Sequence, residues 1–372
     1  MKRSDFVVSS YEPDDPSSSA WNPRNWTRRI WLIIVTVIVV IVVVVVGTVV
    51  GVRATRNGDS GNTSYPDYSK LNYTLIDSYS STSFFDKFDY FSTWDPAGGF
   101  VHYADPNFAA TYNLTYSTPS TSIIRVDTRL GPGTEPDAST GRLSVRLESK
   151  AQYGPGLFLF DVKHTPYGCG TWPALWLTDP NNWPAHGEID LMEAVNQATT
   201  GNMVALHTTD GCSMADVRRQ MAGTAGQGDC HNATNFNTGC TVTGPPATYG
   251  PEFNAAGGGV VALEWRDEGI RVWVFSRDAG GRAVTSLPAE GMPDPSVWGP
   301  PLADYPATNC DMGSHFRNQS IVVNIDLCGY LTQAVWESSG CPSTCTDYVA
   351  SNPSAFNNAF WEFGDFQVFE AR

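Results

Sequence analysis

The chain has 372 residues, of which 16% are charged and 12% aromatic, with 34 glycines, 25 prolines and a formal net charge of −15. Few charges beside so many ring-bearing and turn-forming residues describe a β-rich protein rather than a helical one, and the length suits one large domain or two ordinary ones. The acidic balance leaves no basic surface to displace phosphate counterions, which excludes nucleic acid as a partner, and no glycine-rich phosphate loop links a strand to a helix.

The first 29 residues are rich in Ser, Pro and Asp and read as a disordered tail. Residues 30–52 form a Val/Ile-dominated apolar run broken only by Thr36, Gly47, Thr48 and Gly51. At about 1.5 Å per residue, its 23 residues cover a hydrocarbon core of about 30 Å. The run is longer than the apolar part of a cleavable signal peptide and follows a long polar segment, so it predicts an uncleaved single transmembrane helix. Trp26 and Trp31 suit one membrane interface. Lys2, Arg3, Arg24, Arg28 and Arg29 precede the run, whereas Arg53, Arg56 and Lys70 follow it, a bias that puts the N-terminus in the cytoplasm. All the cysteines and the sequons at Asn62, Asn72, Asn113, Asn232 and Asn318 come after the run, which fits a luminal or extracellular C-terminal part carrying disulfides.

Residues 53–72 read as a polar stem, and the catalytic domain is expected over 73–372. Within it, apolar residues alternate with period two over 142–149, 156–162, 203–207, 260–265, 270–275, 321–325 and 360–369, separated by turn clusters such as Gly131-Pro-Gly and Asp278-Ala-Gly-Gly-Arg. No long stretch of period 3.6 follows the apolar run. An all-β fold results, an antiparallel sandwich in which each strand buries one face against a second sheet.

The chemistry concentrates in Gly187-Glu-Ile-Asp-Leu-Met-Glu193. In a regular strand Glu188, Asp190 and Met192 share a face and Glu193 points the other way. A one-residue bulge near Leu191 or Met192 would return Glu193 to the face of Glu188. Crowded carboxylates serve either a calcium site, which wants six to eight oxygens, or glycoside cleavage, which wants one carboxyl protonated and one ionised. Crowding assists the second, because a like charge raises one pKa. Trp172, Trp176 and Trp183 lie just before the acids, and Trp265 and Trp273 follow later. Tryptophan faces pack on the C–H faces of pyranose rings, although about half of the 12 tryptophans are expected in the core. Cleavage of a sugar chain is the reading these residues favour.

Read together, Cys169-Gly-Thr-Trp-Pro-Ala-Leu-Trp-Leu-Thr-Asp and Trp183-Pro-Ala-His-Gly-Glu-Ile-Asp-Leu-Met-Glu-Ala-Val-Asn resemble glycoside hydrolase family 16, near the fungal laminarinase-type endo-β-1,3(4)-glucanases. The likeness runs from about Tyr73 to the C-terminus. It implies a β-jelly-roll sandwich with a concave substrate cleft, a β-glucan substrate and no organic cofactor. It implies Glu188 as nucleophile, Glu193 as acid/base and Asp190 as the carboxylate assisting Glu188, with Trp176, Trp183 and His207 binding sugar. A structural calcium is compatible with the resemblance, which fixes no metal ligands. One departure stands out: after Cys328-Gly329, many relatives carry a tryptophan in a substrate subsite where this chain has Tyr330-Leu331, and Trp336 is the nearby aromatic that could compensate. Two other functions share the pattern: a cell-wall transglycosylase using the same residues, and a glycan-binding protein on an inactive enzyme fold.

Overall fold

The computed structural model describes residues 65–277 and 293–372, together with Arg28, Arg29, Leu32 and Thr36. Nearly all of the expected tail and of the expected anchor, the first part of the stem and the turn cluster from Asp278 lie outside the described residues. Among the described residues no helix is long and apolar enough to cross a membrane.

Residues 65–372 form one compact unit made of two eight-stranded sheets and a two-stranded ribbon. The period-two segments are all strands, and both large sheets are antiparallel throughout. The sheet that carries the acids contains β1 (Phe88–Tyr90), β2 (Arg146–Tyr153), β3 (Thr171–Thr178), β4 (Glu188–Glu193), β5 (Met203–His207), β6 (Thr224–Ala225), β7 (Cys240–Thr243) and β8 (Gln319–Leu327). Across the sheet they run β6-β7-β5-β4-β3-β8-β2-β1. The acids therefore lie near the middle of the sheet, where hydrogen-bonded neighbours on both sides hold them.

Alternation sorts this sheet into two faces. Leu175 and Leu177 of β3, Ile189 of β4, Leu206 of β5 and Ile321 and Val323 of β8 are fully buried and pack into the inter-sheet core. Phe158, Phe160, Val261, Leu263 and Trp265 meet them from the second sheet. The opposite face carries Trp172, Trp176, Glu188, Asp190 and Asn324, polar or half-buried groups with the chemistry among them.

The second sheet is buried on both sides. Leu157, Leu159, Ala262, Trp273, Phe369 and Tyr73 form a smaller cluster on its outer face, flanked by Leu71, Phe275 and Trp298. This corrects the suggestion that Trp265 and Trp273 contribute to sugar binding. Trp265 is 1% exposed in the inter-sheet core, and Trp273 is 2% exposed with its indole N–H donating to the Gly299 carbonyl at 3.1 Å. Residues 65–72, assigned by sequence to the stem, also belong to the compact unit. Tyr65 donates to Asp304 at 3.0 Å, Tyr68 to the Glu268 carbonyl at 3.2 Å, and the Arg271 guanidinium stacks 4.0 Å from the Tyr68 ring. Arg271, which Tyr68 covers, joins Tyr73 in holding the buried Glu264 carboxylate. A buried carboxylate without such partners would be strongly destabilising.

Four disulfides join all eight cysteines: Cys169–Cys341, Cys212–Cys310, Cys230–Cys240 and Cys328–Cys345. Two of them tie the entry of β3 and the exit of β8 to residues 341–345, and the other two brace the loops that follow β5.

Candidate active site

Strand β4 enters from Gly187, whose φ of +74° and crowding require glycine: a Cβ there would lie 2.4 Å from Phe316 Cδ1 and 2.5 Å from the His315 carbonyl. Glu188 then pairs with Thr178 of β3 and His207 of β5, and Asp190 with Trp176 and Ala205. At Leu191 the regular ladder breaks. On the β3 side, Asp190 faces Trp176 but Met192 faces Leu175, so Leu191 is one residue too many; on the β5 side the register moves from Asp190–Ala205 to Glu193–Met203. Leu191 and Met192 both enter the core, fully buried. Glu193 comes to pair with Ala174, which shares a face with Trp172 and Trp176. The bulge expected near Leu191 or Met192 is thus at Leu191, and it gathers Glu188, Asp190 and Glu193 on one side of the sheet.

Each acid has its own partners. The Trp172 indole donates to Glu193 Oε1 at 2.6 Å. His207 Nε2 lies 3.2 Å from Asp190 Oδ2, and its Nδ1 pairs with Asn237 Oδ1 at 3.1 Å. Burial raises the Glu188 carboxyl to about 7, with the Asp190 charge adding to the rise, while His207 and a hydrogen bond from Trp183 oppose it. Burial and Asp190 also raise Glu193, to about 8, against the pull of the Trp172 hydrogen bond and His207. For His207, burial works against the charge, but the hydrogen bond to Asp190 and the fields of Glu188, Asp190 and Glu193 win and lift it to about 10. The imidazolium is the cation of the cluster, and both glutamates hold their protons to higher pH than an exposed carboxyl would.

Glu188, Asp190 and His207 bring one ligating atom each within 4.8 Å of one another, and no other such group of three His, Cys, Asp or Glu forms among the described residues. Two carboxylates and a protonated imidazole do not fit calcium, which takes six to eight oxygens. Cys341 and Cys345 are both spent in disulfides.

The expected sugar-binding residues surround the acids. Trp183 is 43% exposed. Trp176 is half-buried; its indole donates to Asn324 Oδ1 at 2.8 Å, and the Arg146 guanidinium lies 5.1 Å from its ring. His207 is nearly buried beneath the loop closed by Cys230–Cys240. That loop turns through three successive left-handed residues, Asn235, Phe236 and Asn237, with φ of 49°, 56° and 57°. Its turn presses Asn237 onto His207 and leaves Phe236 wholly exposed. Trp336, the suggested compensating aromatic, does not serve: it is 8% exposed and donates to the Ser343 carbonyl at 2.9 Å. Tyr330 itself is 69% exposed beside Gly98. His186, not counted with the site, pairs with Asp179 at 2.7 Å.

Sequence reasoning missed several groups here. By sequence Trp172 is one of several rings near the acids, and nothing there singles out its indole as the partner of Glu193. Asn202 and Asn237, in the turns before β5 and β7, and Asn324, inside β8, belong to no motif. Asp326 of β8 stands opposite Trp172, is buried, and crowds Asp95 around Gly99. Burial and the Asp95 charge push its carboxyl well above the usual range.

A family model described as the XgeA-like catalytic GH16 domain matches residues 88–369. A probable glycosidase of Schizosaccharomyces pombe is 42% identical over 310 residues, covering 82% of this chain and 71% of that protein. A probable endo-1,3(4)-beta-glucanase of Aspergillus flavus is 37% identical over 316 residues; the match covers 82% of this chain but only 45% of that relative. Among solved structures, Laminarinase 16A of Phanerochaete chrysosporium, with β-glucans in donor and acceptor sites, superposes with a TM-score of 0.76 at 39% identity, covering 80% of this chain and all of that one. An elongating family 16 β-1,3-glucosyltransferase gives 0.72 at 35% identity, again over 80% of this chain and all of that one.

Proposed function

The chain belongs to glycoside hydrolase family 16, among its XgeA-like catalytic domains, and from that premise we propose that it is a retaining endo-glycosidase of β-1,3- or mixed β-1,3/1,4-glucans. The observation that carries the reading is the bulge at Leu191, which gathers Glu188 and Glu193 on one side of the sheet around Asp190. In the first step Glu193, whose carboxyl burial and the Asp190 charge keep protonated, gives its proton to the glycosidic oxygen while Glu188 attacks the anomeric carbon. In the second, Glu193 takes a proton from water, which attacks the same carbon and releases Glu188. Asp190 raises the proton affinity of Glu193, and His207 offsets the charge of the cluster beside Glu188. Trp176, Trp183 and Tyr330 are the rings for the sugar chain, along a cleft on this face of the sheet.

A second reading has a specific support. The glycosyl-enzyme can be captured by a sugar hydroxyl, and a solved relative at 35% identity is titled an elongating glucosyltransferase. Incubating the protein with laminarin and with lichenan, beside a Glu188→Gln control, separates these outcomes. Shorter products from the wild type alone support hydrolysis, and products longer than the starting chains identify transfer. Glucan binding without products from either protein would leave a lectin.

The location belongs to the same proposal: a single-pass protein anchored through residues 30–52, with its N-terminus cytoplasmic and its catalytic unit at the cell surface. Sequon residues Asn72, Asn113 and Asn318 are exposed and Asn232 half-buried, which supports glycosylation in the secretory pathway. Carbonate-resistant sedimentation with membranes, and a mass shift on deglycosylation, are the expected results; release by carbonate would defeat the anchor.

A further inference from the structure

A bulge takes two backbone groups out of the regular ladder, and buried polar groups left without partners are costly. On β4 both are met by one side chain. The Asn202 amide donates from Nδ2 to the Leu191 carbonyl at 2.7 Å, and its Oδ1 accepts from the Glu193 N–H at 3.1 Å. Asn202 immediately precedes β5, so its carboxamide stands where that strand's backbone would have continued the pairing. The residue is fully buried and is itself held on both sides. Its N–H donates to Thr248 Oγ1 at 3.0 Å, and its carbonyl accepts from the Gly244 N–H at 2.8 Å. Gly201 before it has φ +91°, and a Cβ there would lie 2.4 Å from the carbonyl oxygens of both Gly244 and Pro245. The chain is threaded tightly enough that the amide has little freedom to point elsewhere.

We propose that Asn202 is a positioning residue for Glu193, its carboxamide acting as a surrogate peptide group that fixes the one-residue offset of β4. The inference rests on the assignment of Glu193 as the proton donor. The carboxamide meets both demands at once, a donor and an acceptor fixed in one plane. Aspartate could still accept from the Glu193 N–H but could not donate to the Leu191 carbonyl, and alanine does neither. Releasing the offset moves β4 toward the regular register, in which Glu193 turns away from Glu188. Glu188 lies before the bulge, paired with Thr178 and His207, and keeps its place. The lesion is therefore selective: proton donation to the leaving oxygen suffers, and nucleophilic attack does not.

The test compares two substrates on the full chain in detergent: a β-1,3-gluco-oligosaccharide, whose leaving group needs a proton, and a dinitrophenyl β-glycoside of the same sugar, whose leaving group does not. Asn202→Ala should lower kcat/KM on the oligosaccharide about 100-fold, the scale of lost general-acid help, and on the aryl glycoside less than about tenfold, with KM little changed. Glu193→Ala should show the same imbalance, and Asn202→Asp, which keeps one of the two hydrogen bonds, reads out the same ratio should the alanine variant not fold. Equal losses on both substrates in the Asn202 variants, or no loss, would overturn the proposal. Equal losses in Glu193→Ala would instead remove the proton-donor assignment on which it stands.

Discussion

Replacing Glu188 by Gln should make the protein more stable, and by an amount that grows with pH. The folded site raises the Glu188 carboxyl from the ordinary 4.5, which an unfolded chain shows, to about 7. The folded state therefore binds the extra proton between those limits. Stability is full below the unfolded value and falls as pH rises through the folded one. The displacement corresponds to on the order of 3 kcal/mol at pH 8, where both states are ionised. Glutamine keeps the shape and removes the charge. Part of the gain is returned, because the Glu188 charge helps His207 to keep its proton. A net stabilisation of about 2 kcal/mol at pH 8, shrinking to a few tenths at pH 4.5, is the expected result. Urea unfolding of residues 65–372 followed by tryptophan fluorescence, at both pH values and for both proteins, measures it directly. An advantage that is the same at both pH values would refute the reasoning, since packing differences do not titrate.

Other predictions follow from single contacts. Trp172→Phe removes the donor that steadies ionised Glu193, so the Glu193 pKa rises and the basic limb of the kcat/KM profile should move up in pH; a downward shift would mean that the indole does not favour the charged form. His207→Gln withdraws the positive field that opposes the rise at Glu188, so the acidic limb should also move up, with activity falling most at low pH. Trp265→Ala should cost about 3–5 kcal/mol of stability by opening a core cavity while leaving KM of the folded fraction alone, whereas Trp176→Ala should raise KM with a far smaller effect on Tm. Removing the bridge that closes 17 residues, by Cys328→Ala with Cys345→Ala, should lower unfolding stability by about 2–5 kcal/mol in denaturant titrations.

The strands were legible because their alternation records which face each residue must bury, and that requirement is local. The bulge was legible for a different reason: Glu188 and Glu193 can act together only from one face, and a five-residue separation in a regular strand forbids it. Trp265 and Trp273 misled because their sheet is covered on both sides, and burial on both faces leaves no polar alternation to separate core from cleft. Tyr65 and Tyr68 sit in a polar run that resembles a linker; their contacts with Asp304 and Arg271 exist only once strands distant in sequence have paired. The pairing of the cysteines and the part played by Asn202 share that character. Each depends on which turn arrives beside which strand, and nothing in the neighbouring residues encodes it.

The loop between Cys230 and Cys240 is closed on itself by its own disulfide, and it reaches the acids through Asn237 and the close approach of Gly239 to His207. Its two ends are fixed independently of what lies between them. Such a segment behaves as an exchangeable cassette: length and composition around Phe236 can change while the catalytic floor stays in place.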